Sequence, residues 1–174
     1  MPRNRKRNLI KVRLLFDGED TETPWAEDLG PVRGAGPGAR RVRLANVPFL
    51  HAKPTWGDVI IVEPDPDDGV LTWDCRGVQW ERVGTRIERD SGRWAMVLDY
   101  RPLEGAELSR DFDLLCKSAE EIDVIPEGCL DVTNTRPGRL YLAVPDTLGI
   151  VEVLDHLYAR NLPLTLKLIH PLDD

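Results

Sequence analysis

Near Arg89 the hydrophobic pattern of the chain changes its period, and this constrains the fold more than any other feature of its 174 residues. Before that point apolar residues recur at every second position in short runs separated by Gly and Pro. After it, two stretches carry the 3.6-residue spacing of amphipathic helices. In the first part Ile10, Val12 and Leu14 alternate with Lys11 and Arg13 and end at Asp17-Gly18, the pattern of a half-buried strand entering a turn. Residues 21–29, anchored by Trp25, are expected to pair back on it. Residues 30–39 are rich in Gly and Pro and read as a loop, whose Gly34-x-Gly36 lacks the strand, helix and Gly-Lys-Ser/Thr of a phosphate-binding loop. Residues 41–45 alternate again and lead through Asn46-Val47-Pro48-Phe49-Leu50 to a continuous apolar run, 59–62, read as a well-buried strand. Asp65-Pro66-Asp67-Asp68-Gly69 is a hairpin turn rather than a calcium loop, because glycine is fifth instead of sixth and the twelfth position is Arg76 instead of Glu. Leu71, Trp73 and Cys75 share one strand face, and Val78, Trp80 and Ile87 suggest a further strand or two, broken near Gly84.

In the second part residues 94–100 read as a strand, with Trp94, Met96 and Leu98 on one face. Leu108, Phe112, Leu115, Ala119 and Ile122 form the stripe of a helix. Pro126-Glu127-Gly128 closes that region, 129–133 and 140–144 form a hairpin, and Asp146 caps a second helix whose stripe is Ile150, Val151, Val153, Leu154, Leu157 and Tyr158. Leu164, Leu166, Leu168 and His170 line a last strand. The fold class expected is α+β: a basic disordered tail (1–8), a small antiparallel β barrel or curved sheet (9–88), and, packed on it, a ferredoxin-like half of split βαβ pattern (89–174).

The charge is uneven. Net −7 includes Arg3, Arg5, Lys6 and Arg7, and setting these aside leaves 19 basic against 30 acidic residues, a net −11. Such a body repels nucleic acid and steers toward basic partners. No apolar run approaches the roughly 20 residues of a membrane span, and the basic N-terminus leads into Lys11 and Arg13 rather than an apolar signal core, so export by that route is not expected. Cys75, Cys116 and Cys129 form neither a C-x-x-C pair nor a disulfide framework, which suits a reducing cytoplasm. His51 sits in a loop, His156 is placed on the solvent side of the second helix four residues after Glu152, and His170 ends the last strand; none neighbours a second histidine or a nucleophile in sequence. Ser91, Ser109 and Ser118 lie in no nucleophile elbow. Trp25, Trp56, Trp73, Trp80 and Trp94 are interleaved with acids as often as with Arg, which favours packing over base stacking. No catalytic residue, metal or cofactor is expected.

Asp113, Glu120 and Glu121 fall opposite the apolar stripe of the first helix, beside Arg110 and Lys117. They form either a solvated face with i,i+4 pairs such as Asp113–Lys117 or an acidic docking surface for a basic protein. Phe49 and His51, on the loop 48–53, are the other candidate partner contacts. Trp25-Ala26-Glu27-x-Leu29-Gly30, Arg43-Leu44-Ala45-Asn46-Val47-Pro48-Phe49-Leu50, Gly57-Asp58-Val59, the acidic turn with Gly69 and Leu142-Ala143-Val144-Pro145 entering a helix together resemble a bacterial domain-of-unknown-function family, number 4265, over three quarters of the chain. Similar members carry Ser-Gly-His-Ser/Thr where this chain has Ser91-Gly92-Arg93-Trp94, so a role resting on that histidine is absent. The resemblance implies an architecture rather than an activity. The functional expectation is a cytoplasmic, non-enzymatic protein-binding module, most concretely an immunity protein that neutralises a toxin. Two other readings remain: a nucleic-acid or ribosome-associated module using the basic tail, and a ligand-binding or enzyme domain with a site between the halves, where His51 and His170 meet.

Overall fold

A computed structural model describes residues 8–18, 21–48, 53–129 and 138–170. The chain divides into two compact units, Met1–Ser91 and Gly92–Asp174. Strands of the first unit are β1 (Leu9–Lys11), β2 (Arg13–Leu15), β3 (Thr21–Glu22), β4 (Trp25–Pro31), β5 (Arg40–Leu44), β6 (Val59–Pro64) and β7 (Leu71–Asp74). They form one sheet in the order β1-β4-β5-β6-β7-β2-β3. Every pairing is antiparallel except that of β2 with β7.

That order dictates the curl. β1 and β2 are separated in sequence by Val12 alone, yet five strand-to-strand steps separate them in the sheet. In a flat sheet those steps would amount to about 24 Å, whereas two trans peptide units reach only about 7 Å. The sheet therefore bends on itself, as the sequence pattern predicts of a small barrel or curved sheet. Val12 is buried at the corner, and its N–H donates to the Pro24 carbonyl oxygen (3.1 Å). Inside the curl the alternating residues meet: Leu14, Phe16, Ala26, Val42, Leu44, Ile60, Val62, Trp73 and Cys75 form one core with Val12. Phe16 and Trp73 pack edge to face, ring centroids 6.2 Å apart. The turn after β6 is the expected hairpin, with Asp65 N–H donating to the Val70 carbonyl (2.9 Å) and Gly69 at φ +73°. The expected strand through 78–87 is a correction: α1 (Trp80–Val83) and a 3-10 turn (Gly84–Arg86) stand there instead. Val78, Val83 and Ile87 reach the core from this segment.

The second unit runs β8 (Arg93–Pro102), α2 (Leu108–Glu121), β9 (Ile125–Cys129), β10 (Gly138–Pro145), α3 (Ile150–Tyr158) and β11 (Leu164–His170). Its sheet order is β11-β8-β10-β9, antiparallel throughout. Each helix thus links two strands with a third between them, which is the split βαβ connectivity. All five residues of the expected α2 stripe reach the core with Met96, Leu98, Tyr100, Leu140 and Leu142.

Three expectations change. The strand expected to begin at Cys129 begins at Ile125 as β9, with Pro126 inside it. Proline survives there because β9 is an edge strand, where a missing N–H leaves no ladder partner unmet; residues 130–137 lie outside the described residues. The cap of α3 is Gly149, not Asp146, and the Glu152 carboxylate accepts the Gly149 N–H at 2.8 Å. Val151 and Tyr158 are exposed, because the buried face of α3 holds only Ile150, Val153, Leu154 and Leu157.

Two glycines make room for the aromatic pair of this core. Tyr100 and Phe112 lie with ring centroids 5.1 Å apart. A Cβ on Gly138 would overlap the Tyr100 ring, and one on Gly128 would lie 2.6 Å from Phe112 Cζ and 2.9 Å from the Arg139 carbonyl oxygen. Gly138→Ala and Gly128→Ala should each destabilise the protein by about 1–3 kcal/mol through overpacking, read as a lowered urea midpoint, while Gly105→Ala, where nothing stands within 4 Å of the added carbon, should cost only its positive φ.

Candidate partner-binding groove

The antiparallel pair β6/β7 turns Ile60, Val62 and Trp73 inward. Ile61 and Glu63, with Thr72 and Asp74 on the neighbouring strand, therefore take the opposite face, and Glu63 lies across from Thr72. On that face is a groove of about 630 Å³, lined by Ile61, Glu63, Thr72 and Asp74, by the turn Pro64–Asp67, by Trp73 and by Arg76, Thr85 and Arg86. Four carboxylates thus meet two guanidinium groups.

The four are not equivalent. Asp74 accepts bonds from Arg76 (Nη2 to Oδ2, 2.6 Å), and this pairing, with Arg86 nearby, holds its carboxyl below the ordinary value. Asp65 lies 3.7 Å from Arg13, and the neighbouring Asp68 is hydrogen-bonded to the same guanidinium, which lowers its pKa. Glu63 and Asp67 have no cation within 4.0 Å among the described residues. Exposed ion pairs add only about 0–1 kcal/mol each, so the neutralised pairs shape the rim while the two free carboxylates set its field.

A second polar cluster joins segment 53–58 to Asp90 and Ser91. Asp58 is fully buried; its Oδ2 accepts the Thr55 N–H (2.8 Å) and its Oδ1 the Ser91 N–H (2.6 Å). Lys53 Nζ stands 4.0 Å from Oδ2 and 2.5 Å from Asp90 Oδ1. Burial pushes the Asp58 carboxyl above its ordinary value; the Ser91 side chain, the two backbone N–H groups and Lys53 offset only part of this. Among the described residues the buried Thr55 hydroxyl has no hydrogen-bond partner. Asp58 therefore ties segment 53–58 to Ser91 rather than serving an open site.

The helix candidates separate. Asp113, Glu120 and Glu121 are all exposed on α2, but Glu121 turns toward α3, where it pairs with Arg160 and lies 3.5 Å from His156 Nε2. His156 is accordingly a correction: it faces α2, with Nε2 2.9 Å from the Ser118 carbonyl oxygen, and Glu152 caps the helix instead of pairing with it. Asp111, part of the same acidic run, is buried at the start of α2, accepting the Glu107 N–H (2.8 Å) and the Arg110 guanidinium (2.8 Å). Phe49 and His51 lie outside the described residues. Among the described residues no group of three or more His, Cys, Asp or Glu side chains is arranged to hold a metal ion, and no helix is long and apolar enough to cross a membrane. Cys75 and Cys116 are free thiols whose pKa burial raises to about 11, far from the thiolate character of a nucleophile.

The groove was missed in sequence because its acids were read as turn chemistry. The available signal was the outward set Ile61, Glu63, Thr72 and Asp74, which alternates with the core residues. Comparison with family models, with curated proteins and with solved structures returns no match for this chain.

Asp58 gives a signed pH dependence. Because folding disfavours its charged form, the stability linked to this group is full below the ordinary value of 3.8 and falls as pH rises through the raised value. Asp58→Asn should abolish that component of the urea-midpoint profile. At neutral pH it should also cost about 1–3 kcal/mol, since one of two buried N–H groups loses its acceptor.

Proposed function

We propose that this chain is a non-enzymatic interaction protein that receives a basic protein partner on the outer face of β6/β7, most concretely an acidic immunity protein that neutralises a toxin in the bacterial cytoplasm. The observation that carries the reading is the groove itself, a concavity in which, among the described residues, Glu63 and Asp67 have no cation within 4.0 Å. A lysine or arginine side chain of the partner pairs with these carboxylates while its stem lies along Pro64, Pro66 and Ile61. The −11 body adds a long-range term that raises the encounter rate and is screened by salt over about 8 Å at physiological ionic strength. Of the two acidic surfaces the groove is favoured over α2, because Glu121 is already held by Arg160 and a convex helix face offers no enclosure.

Fluorescence anisotropy with a labelled arginine-rich peptide tests the proposal. Glu63→Gln with Asp67→Asn should weaken binding about 5- to 30-fold at low salt, the equivalent of two ion pairs at about 0.5–1 kcal/mol each. Asp113→Asn with Glu120→Gln should leave it within about twofold. Equal losses from both pairs, or a loss from the helix pair alone, would remove the groove as the docking place.

A further inference from the structure

We propose that the groove on β6/β7 selects a partner segment of mixed sign, in which a basic and an acidic residue lie two positions apart on one face of an extended chain. This rests on the docking reading above and adds to it the anionic half of the ligand. The residue that carries it is Arg86, which lines the groove and is exposed. Among the described residues no carboxylate lies within 4.0 Å of its guanidinium, and no hydrogen bond satisfies it. Asp74, the groove acid that feels its charge, is already taken. Asp74 Oδ1 accepts the Arg76 backbone N–H (2.9 Å) and Nε (3.0 Å), and Oδ2 accepts Arg76 Nη2 (2.6 Å). The groove therefore holds an unmatched cation as well as the two unmatched carboxylates of Glu63 and Asp67.

These lie toward opposite ends of it. After the 3-10 turn the chain returns to the start of β6, where Val59 bridges Arg89 and its carbonyl oxygen accepts the Glu88 N–H (2.9 Å). Arg86 thus stands toward the Val59 end, near Asp74. The register Glu63↔Thr72, continued by one side-chain repeat, sets Ile61 across from Asp74. Glu63 is one repeat nearer the turn, two residues or about 7 Å along the strand, and Asp67 lies within the turn, its N–H donating to Asp65 Oδ1 (2.9 Å).

An extended partner segment repeats its side chains on one face at the same spacing. A basic and an acidic residue at i and i+2 therefore match the free carboxylates and the free guanidinium together. The partner as a whole is basic, because the −11 body repels an acidic one, and its acid is confined to the recognised segment. A purely cationic segment sets one of its charges against Arg86, so the residue that receives the acid also disfavours a featureless polycation.

Fluorescence anisotropy on the full chain with two labelled peptides, repeats of Arg-Ser-Glu-Ser and of Arg-Ser-Gln-Ser, tests this. Arg86→Gln should weaken binding of the Glu-containing repeat about 2- to 5-fold, the loss of one exposed ion pair, and leave the Gln-containing repeat unchanged or tighter. Arg86→Lys should keep most of the affinity for the Glu-containing repeat. Arg101→Gln, an equal change of net charge at an exposed position of the second unit, should not alter the ratio between the two peptides. If Arg86→Gln shifts both repeats alike while Glu63→Gln with Asp67→Asn still weakens both, the groove stands as the docking place and the mixed-sign inference falls. If Glu63→Gln with Asp67→Asn weakens neither repeat, the docking reading itself falls and this inference falls with it.

Discussion

The single residue between β1 and β2 is the constraint from which the first unit follows. Val12 hands the chain from one end of the seven-strand order to a position five strands away, and only a strongly curled sheet accommodates that step. The curl in turn encloses Leu14, Val42, Leu44, Ile60, Val62 and Trp73 in one core. Burial of apolar side chains at about 1.5–3 kcal/mol each outweighs the conformational entropy of seven short strands only when both walls of the curl are present. It also explains why the strands can be so short, since β1, β2 and β3 have two or three residues each.

The same corner shapes the candidate site. Arg13 follows Val12 and lies across from Thr72 in the parallel β2/β7 pair. From there its guanidinium reaches Asp65 and Asp68 on the β6/β7 turn. The corner that curls the sheet thus supplies the cation that braces the rim of the groove, and the turn keeps two neutralised acids while Glu63 and Asp67 stay free. Asp58 does for the other end of β6 what Arg13 does for its turn, fixing residues 53–58 to Ser91 through two buried N–H bonds. Rigid flanks on both sides let the outer face of β6/β7 present charge at low entropic cost to a partner.

Much of this was legible in sequence where one physical signal acted alone. Alternation marked β5, β7 and β8, a continuous apolar run marked β6, the five-residue stripe marked α2, and Asp68-Gly69 marked the hairpin. Legibility failed where two signals competed. Val78, Trp80 and Ile87 suggested a further strand or two broken near Gly84, but the neighbouring Gln79, Glu81 and Arg82 suit a helical turn, and Val83 packs against the first core from the helix. Pro126 read as a terminator because a lone sequence does not show which strand is at an edge. His156 was placed by its spacing from Glu152, whereas its true neighbours, Ser118 and Glu121, are more than thirty residues earlier and meet it only through packing of α2 on α3. The groove belongs to the same class, since carboxylates at 63, 65, 67 and 74 surround a concavity only after the hairpin has curled.

The central claim is that the acidic character of this protein acts through the outer face of β6/β7 and not through its helices. Amide chemical-shift mapping of the labelled full chain, titrated with the arginine-rich peptide, addresses it directly. The account predicts saturable shifts at Ile61, Glu63, Asp67, Thr72 and Asp74 that collapse as salt is raised. Shifts concentrated at Asp113, Glu120 and Glu121, or spread evenly over every acidic residue, would contradict it.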